Sequence, residues 1–267
     1  MSSSAEAAPL LDAAGLRKTF HAGTPNERVA LDSVSLSLAR GDFAIVIGGN
    51  GAGKSTLLNA IAGEVRPDAG RVGIAGRDVT GLATHRRAGL IARVFQDPMI
   101  GTASAMSIEE NLSLAERRGR RNALRLGLTE AGRRRYRDLL AGFGLGLENR
   151  MEQKVSLLSG GQRQSLALAM AIIVAPTLLL LDEHTAALDP KTADLVMRAT
   201  VAAIAREGLT ALMVTHNMQH ALDHGNRLVM MMEGRIVYQA SGAEKAGLTI
   251  AGLVERFHLT SDRMVFG

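Results

Sequence analysis

Apolar residues in this chain fall mostly into short runs, and the spacing of the runs changes in the middle third. Leu16–Phe20 and Ala30–Leu38 predict strands on either side of the turn-rich stretch HAGTPNE at 21–27. After a turn at Gly41-Asp42, the all-apolar Phe43–Ile47 predicts a buried parallel strand, and GGNGAG leads into a helix from Lys54 to about Ala62. Val72–Ile74 and Leu90–Phe95 continue the strands. From Ser107 to Ala175 the period is helical, and apolar strands return at Leu178–Leu181, Ala211–Val214 and Leu228–Met232. Strand and helix in alternation predict an α/β fold with a mostly parallel sheet, helices on its faces and an inserted helical lobe. The expected division is a core of residues 1–97 and 176–267 around a lobe of 98–175. No internal repeat, long linker or further domain after Phe257 is legible.

Leu166 to Leu181 is almost wholly apolar, but Pro176 divides it into a helix end and a buried strand, and it is short for a bilayer span of about 20 residues. No membrane crossing is expected, and residues 1–15 lack the cationic start of a secretory signal. The absence of cysteine rules out disulfides and thiolate metal sites. Much of the net charge of +5 sits in 117–137, where nine arginines read first as a solvated helical face and second as a surface for anionic lipid. With aromatics at 3%, few side chains could stack on bases, so no nucleic-acid partner is expected. Met230, Met231 and Met232 read as strand core.

Chemistry concentrates where apolar strands end. GGNGAGKS at 48–55 fits G-x-x-x-x-G-K-[ST] between a strand and a helix. There Gly49, Asn50, Gly51, Ala52 and Gly53 can turn backbone N–H groups toward phosphate oxygens, helped by the helix N-terminus that carries Thr56. Lys54 can reach the β- and γ-phosphates, and the Ser55 hydroxyl can ligate Mg²⁺. Four leucines lead into Asp182 and Glu183. Asp182 suits the Mg²⁺ shell and Glu183 a general base on the attacking water. Gln96, at a strand end before the lobe, fits a γ-phosphate and Mg²⁺ sensor, although a lone Gln is usually a surface residue. His216 in VTHN at 214–217 could donate to the γ-phosphate or simply cap the next helix.

With LSGGQRQ at 158–164 and ALDP at 187–190, these motifs stand in the order found in ATP-binding-cassette ATPases, the motors of ABC transporters, which the whole chain resembles. The resemblance implies a P-loop NTPase core with an antiparallel β edge region, and ATP with Mg²⁺ as cofactor. Phe20 would stack on adenine with Val29 beside it. Ser159, Gly160, Gly161 and Gln162 would bind the γ-phosphate held by a second copy, and Asp189 would shape the route between the two sites. His184-Thr185-Ala186 departs from the Pro-Thr-Ser common after the two carboxylates: a serine at 186 that could hydrogen-bond across the interface is missing, and His184 reads as an ordinary partly buried histidine. IGGNGAGKSTLLNAIAG and FQDPMIGTASAMSIEENL further resemble stand-alone ATPases of bacterial amino-acid importers of the tryptophan type. That likeness implies an integral membrane permease, an extracytoplasmic solute-binding protein and a place at the cytoplasmic face of the inner membrane. An efflux subunit, or a cassette ATPase of iron–sulfur assembly, is the alternative.

Overall fold

The computed structural model describes residues 8–119 and 127–257. In chain order the elements begin with β1 (Leu11–Phe20), β2 (Arg28–Leu38), β3 (Phe43–Ile47), α1 (Lys54–Ala62), β4 (Ala69–Ile74) and β5 (Arg77–Asp78). Then come α2 (Thr84–Arg87), β6 (Ile91–Val94), α3 (Ile108–Glu116), α4 (Glu130–Ala141), α5 (Gly160–Ile172), β7 (Leu178–Asp182) and α6 (Pro190–Glu207). The chain continues through β8 (Ala211–Val214), α7 (Met218–Asp223), β9 (Arg227–Met232), β10 (Arg235–Ser241) and α8 (Gly242–Ala246). Contacts divide it into two compact units, Met1–Leu82 with Leu212–Gly267, and Ala83–Ala211.

In the first unit, β1 pairs antiparallel with β2 and β4, and β5 closes that edge on β4. The strand β1 begins at Leu11, five residues before the expected Leu16, because Leu11, Ala13 and Leu16 are all buried while the small residues around them disguise the run. A second set runs β10-β9-β3-β8. There β3 and β9 are parallel, and every residue of β3 is buried, as its unbroken apolar run requires. The antiparallel β10 was not expected: its residues are mostly half-exposed, so no clean alternation marks it. Met230 and Met231 fill the core as expected, whereas Met232 stays partly open.

In the second unit, β6 and β7 pair parallel from Ile91↔Leu178 to Val94↔Leu181. Helices α3, α4 and α5 bury Ile108, Leu112, Tyr136, Leu140, Leu166 and Leu168. The arginine-rich segment is only partly a solvated face. Arg118 donates to the carbonyls of Met170, Ala171 and Val174 at the end of α5, and burial pulls its pKa down. Arg133 pairs with Glu109 and Glu130, and Arg135 with Glu116. Arg117, Arg134 and Arg137 are exposed, and Arg120, Arg121 and Arg125 lie outside the described residues. Among the described residues no helix is long and apolar enough to cross a membrane.

Candidate functional site

The loop 48–53 turns tightly for identifiable reasons. A Cβ at Gly48 would stand 2.3 Å from the Met231 carbonyl oxygen, and one at Gly53 (φ 97°) 2.4 Å from that of Ala30. Gly53 also caps α1 without a side-chain hydrogen bond, and the first turn carries no acidic residue. The helix N-terminus is thereby kept for an anion from outside. Lys54 is buried, and its Nζ donates to the carbonyls of Gly48 at 2.7 Å and Gly49 at 3.0 Å. Ser55 is exposed.

A cleft of 530 Å³ opens on this loop, lined by 47–52 together with His216, Met218, Met232, Glu233 and Phe257. The fold thus brings His216 to the phosphate loop from across the sequence. Its neighbour Asn217 caps α7 by accepting from the His220 N–H, so capping falls to Asn217 and not to His216. At the end of the β1–β2 pair, Phe20 is half-buried beside Lys18 and registers with Arg28, while Val29 is half-exposed. Arg28 Nη2 donates to the Gly51 carbonyl at 2.9 Å, a tie between hairpin and loop that the sequence reading missed. Nothing in the sequence separates this arginine from a surface one except its position opposite Phe20.

In the second unit, β7 delivers Asp182 and Glu183 at its end. Glu183 takes φ 42°, a left-handed conformation that non-glycine residues adopt at a cost of order 1–3 kcal/mol and that clusters at functional turns. Asp182 accepts from Arg93 Nη2 at 2.5 Å, with both side chains largely buried. His184 is buried, and its Nε2 lies 3.0 Å from Thr200 Oγ1, which itself donates to the Val196 carbonyl. The hydroxyl proton is therefore engaged, so the imidazole is the donor. The histidine is thus more deeply buried than expected, and it fastens the residue after Glu183 to α6.

The signature turn builds a capping box. Ser159 Oγ accepts from the Gln162 N–H at 3.3 Å, and Gln162 Oε1 accepts from the Ser159 N–H at 3.1 Å. Gly161 sits against α6, where a Cβ would meet Thr192 Cγ2 at 2.2 Å, and Gly160 faces Leu188. Ser159 and Gly160 are exposed at the helix N-terminus. Asp189 caps α6 through the Thr192 N–H, and hydrogen bonding from Thr192 holds its carboxyl below the usual range. Gln96 is exposed, and the buried Gln164 of α5 donates to the adjoining Phe95 carbonyl at 3.1 Å. Gln164 is a second residue the motif reading passed over.

In the first unit Ser55 offers a hydroxyl oxygen, and in the second Gln96 and Asp182 offer amide and carboxylate oxygens, all hard donors of the kind Mg²⁺ takes. Among the described residues no group of three or more His, Asp or Glu could hold a metal ion unaided. Within each unit these oxygens suit a cation that arrives with phosphate oxygens of its own.

A family model described as "ABC transporter" matches residues 31–186. The chain is 40% identical to a tyrosine transport ATP-binding protein of Clostridioides difficile, over 93% of this chain and 98% of that one. It is 39% identical to a lipoprotein-releasing system ATP-binding protein of Ruegeria pomeroyi, over 85% and 97%. Among solved structures it resembles the ADP conformation of an ATP-binding cassette of an ABC transporter, with a TM-score of 0.76, 28% identity and coverage of 93% and 98%. It also resembles a dimeric cassette in a post-hydrolysis state bound to ADP and phosphate, with a TM-score of 0.74, 29% identity and coverage of 86% and 98%.

Proposed function

The chain belongs to the ATP-binding subunits of ABC transporters and hydrolyses ATP, and on that footing we propose that it drives an importer of amino acids or similar small solutes. The observation that carries the reading is the cleft joining the phosphate loop to His216, in a chain matched over 93% of its length by a tyrosine-transport subunit. ATP enters with its adenine on Phe20 beside Val29 and its phosphates on the N–H groups of 49–56. Lys54 exchanges its two loop carbonyls for β- and γ-phosphate oxygens. Ser55, Asp182 and Gln96 are the residues that would hold Mg²⁺, which would neutralise charge at those phosphates. Glu183 takes the proton of the attacking water, and His216 donates to the γ-phosphate.

The remaining donors come from a second copy, whose Ser159, Gly160, Gly161 and Gln162 meet the γ-phosphate while Asp189 links the two sites. We read residues 98–175 as the lobe that carries this turn, with the segment 98–112 and the groove near Gln96 receiving a short helix of a membrane permease. An extracytoplasmic solute-binding protein would deliver the cargo, and the subunit would work at the cytoplasmic face of the membrane. The 39% likeness to a lipoprotein-releasing subunit supports a second reading, the ATPase of an extruding system.

Uptake of labelled tyrosine and tryptophan by cells with and without the gene tests direction and cargo. Import predicts loss of uptake restored by the wild-type chain but not by Glu183→Gln. Unchanged uptake with accumulation of a substrate inside the deletion strain favours extrusion.

A further inference from the structure

Strand β6 carries three buried apolar residues, Ile91, Ala92 and Val94, and one arginine. A guanidinium in such a place costs free energy unless it is paired. Arg93 meets Asp182 at 2.5 Å, and the two side chains are only 10% and 15% exposed. The carboxylate that the proposed function assigns to the metal shell is thus already neutralised by a residue of its own unit.

While paired with Asp182, Arg93 also lies on Phe95. Its guanidinium carbon lies 4.7 Å from the centroid of the Phe95 ring, a cation–π contact. Both residues line a cleft of 190 Å³, with Pro98, Gly101, Ala115 and Met170 among its walls. Arg118 is the other cation lining it, and its guanidinium is engaged by the carbonyls of Met170, Ala171 and Val174. A divalent cation and a guanidinium repel each other across a shared carboxylate in a poorly solvated place. They exchange more readily than they coexist.

We propose that Arg93 is a positioning residue that holds Asp182 in the nucleotide-free subunit and yields it to Mg²⁺ by swinging into the cleft while it keeps its contact with Phe95. The inference rests on the reading of Asp182 as a metal residue. Arg93 then sets how much Mg²⁺ the subunit needs, and it spares the fold a buried, unpaired carboxylate when no metal is present.

The test is calorimetric titration of the full chain with ATPγS at stepped free Mg²⁺, giving the Mg²⁺ concentration at which half of the gain in nucleotide affinity is reached. Charge-assisted hydrogen bonds of this kind are strong enough that Arg93→Met should lower that concentration by about fivefold or more. The nucleotide-free variant should also melt lower than wild type and recover with Mg²⁺ and ATPγS. Asp182→Asn should lose most of the protein's Mg²⁺ dependence. An unchanged or raised Mg²⁺ requirement in Arg93→Met, with Asp182→Asn still insensitive, overturns the exchange and leaves the metal reading standing. Wild-type Mg²⁺ dependence in Asp182→Asn overturns the metal reading and the exchange with it. Should Arg93→Met fail to fold, Arg93→Lys decides: a drop of about twofold or more supports the proposal, and no drop overturns it.

Discussion

The phosphate loop and the signature turn are both glycine-rich helix entrances, yet the two units treat them in opposite ways. At the loop, α1 begins on Gly53 with no side-chain cap, and Lys54 donates to two carbonyls of its own turn. At the signature turn, Ser159 and Gln162 satisfy each other, and Gly161 is pressed against Thr192. The first entrance is left for a ligand to complete. The second is already complete as a helix cap, and it offers outward only an exposed serine, an exposed glycine and the positive end of α5. A substitution in the loop should therefore act on binding, and one in the turn on folding and on whatever the turn meets outside its own chain.

The sharpest way to break that contrast is Lys54→Ala. Loss of charge-assisted bonds to two phosphates should weaken ATP binding by more than about 100-fold while moving the melting midpoint by less than about 4 °C. A large fall in stability with ATP affinity intact would make Lys54 a structural residue. Next comes Gly161→Ala, where the added methyl collides with Thr192 and should cost about 1–3 kcal/mol in thermal or urea unfolding, with ATP binding by the monomer spared. Thr192→Ser in the same chain removes the colliding methyl and should restore part of the loss; no restoration would mean that some other contact demands the glycine. The smallest effect is expected of Ser159→Ala. Losing one half of the capping box should cost about 1 kcal/mol in the same unfolding assay, again without change in monomer affinity for ATP.

Sequence made one side of this contrast plain and hid the other. The phosphate loop, the four leucines before Asp182 and the helix from Lys54 to Ala62 are legible because each is a local rule: glycines where a Cβ will not fit, an unbroken apolar run for a strand buried on both faces. The roles that partners far along the chain assign are not local. Arg28 reads as a surface residue until the fold sets it on Gly51, and Arg93 reads as one until β6 lies beside β7. His184 reads as an ordinary partly buried histidine until Thr200 receives it. β10 escaped for another reason, since its half-exposed residues blur the period-two signal. Even the serine and glutamine of the signature turn, recognisable as a motif, gave no sign that they close a capping box on one another.

The proposed site is shared between two copies, because within its own chain the signature turn caps α5 and packs on α6 while Ser159 and Gly160 stay exposed. Analytical ultracentrifugation of Glu183→Gln with saturating ATP and Mg²⁺ tests it most directly. A shared site predicts a dimer that forms with nucleotide, disappears without it, and fails to form when Ser159→Arg is added although each monomer still binds ATP. A species that stays monomeric at saturating ATP, or a dimer indifferent to Ser159→Arg, would contradict it.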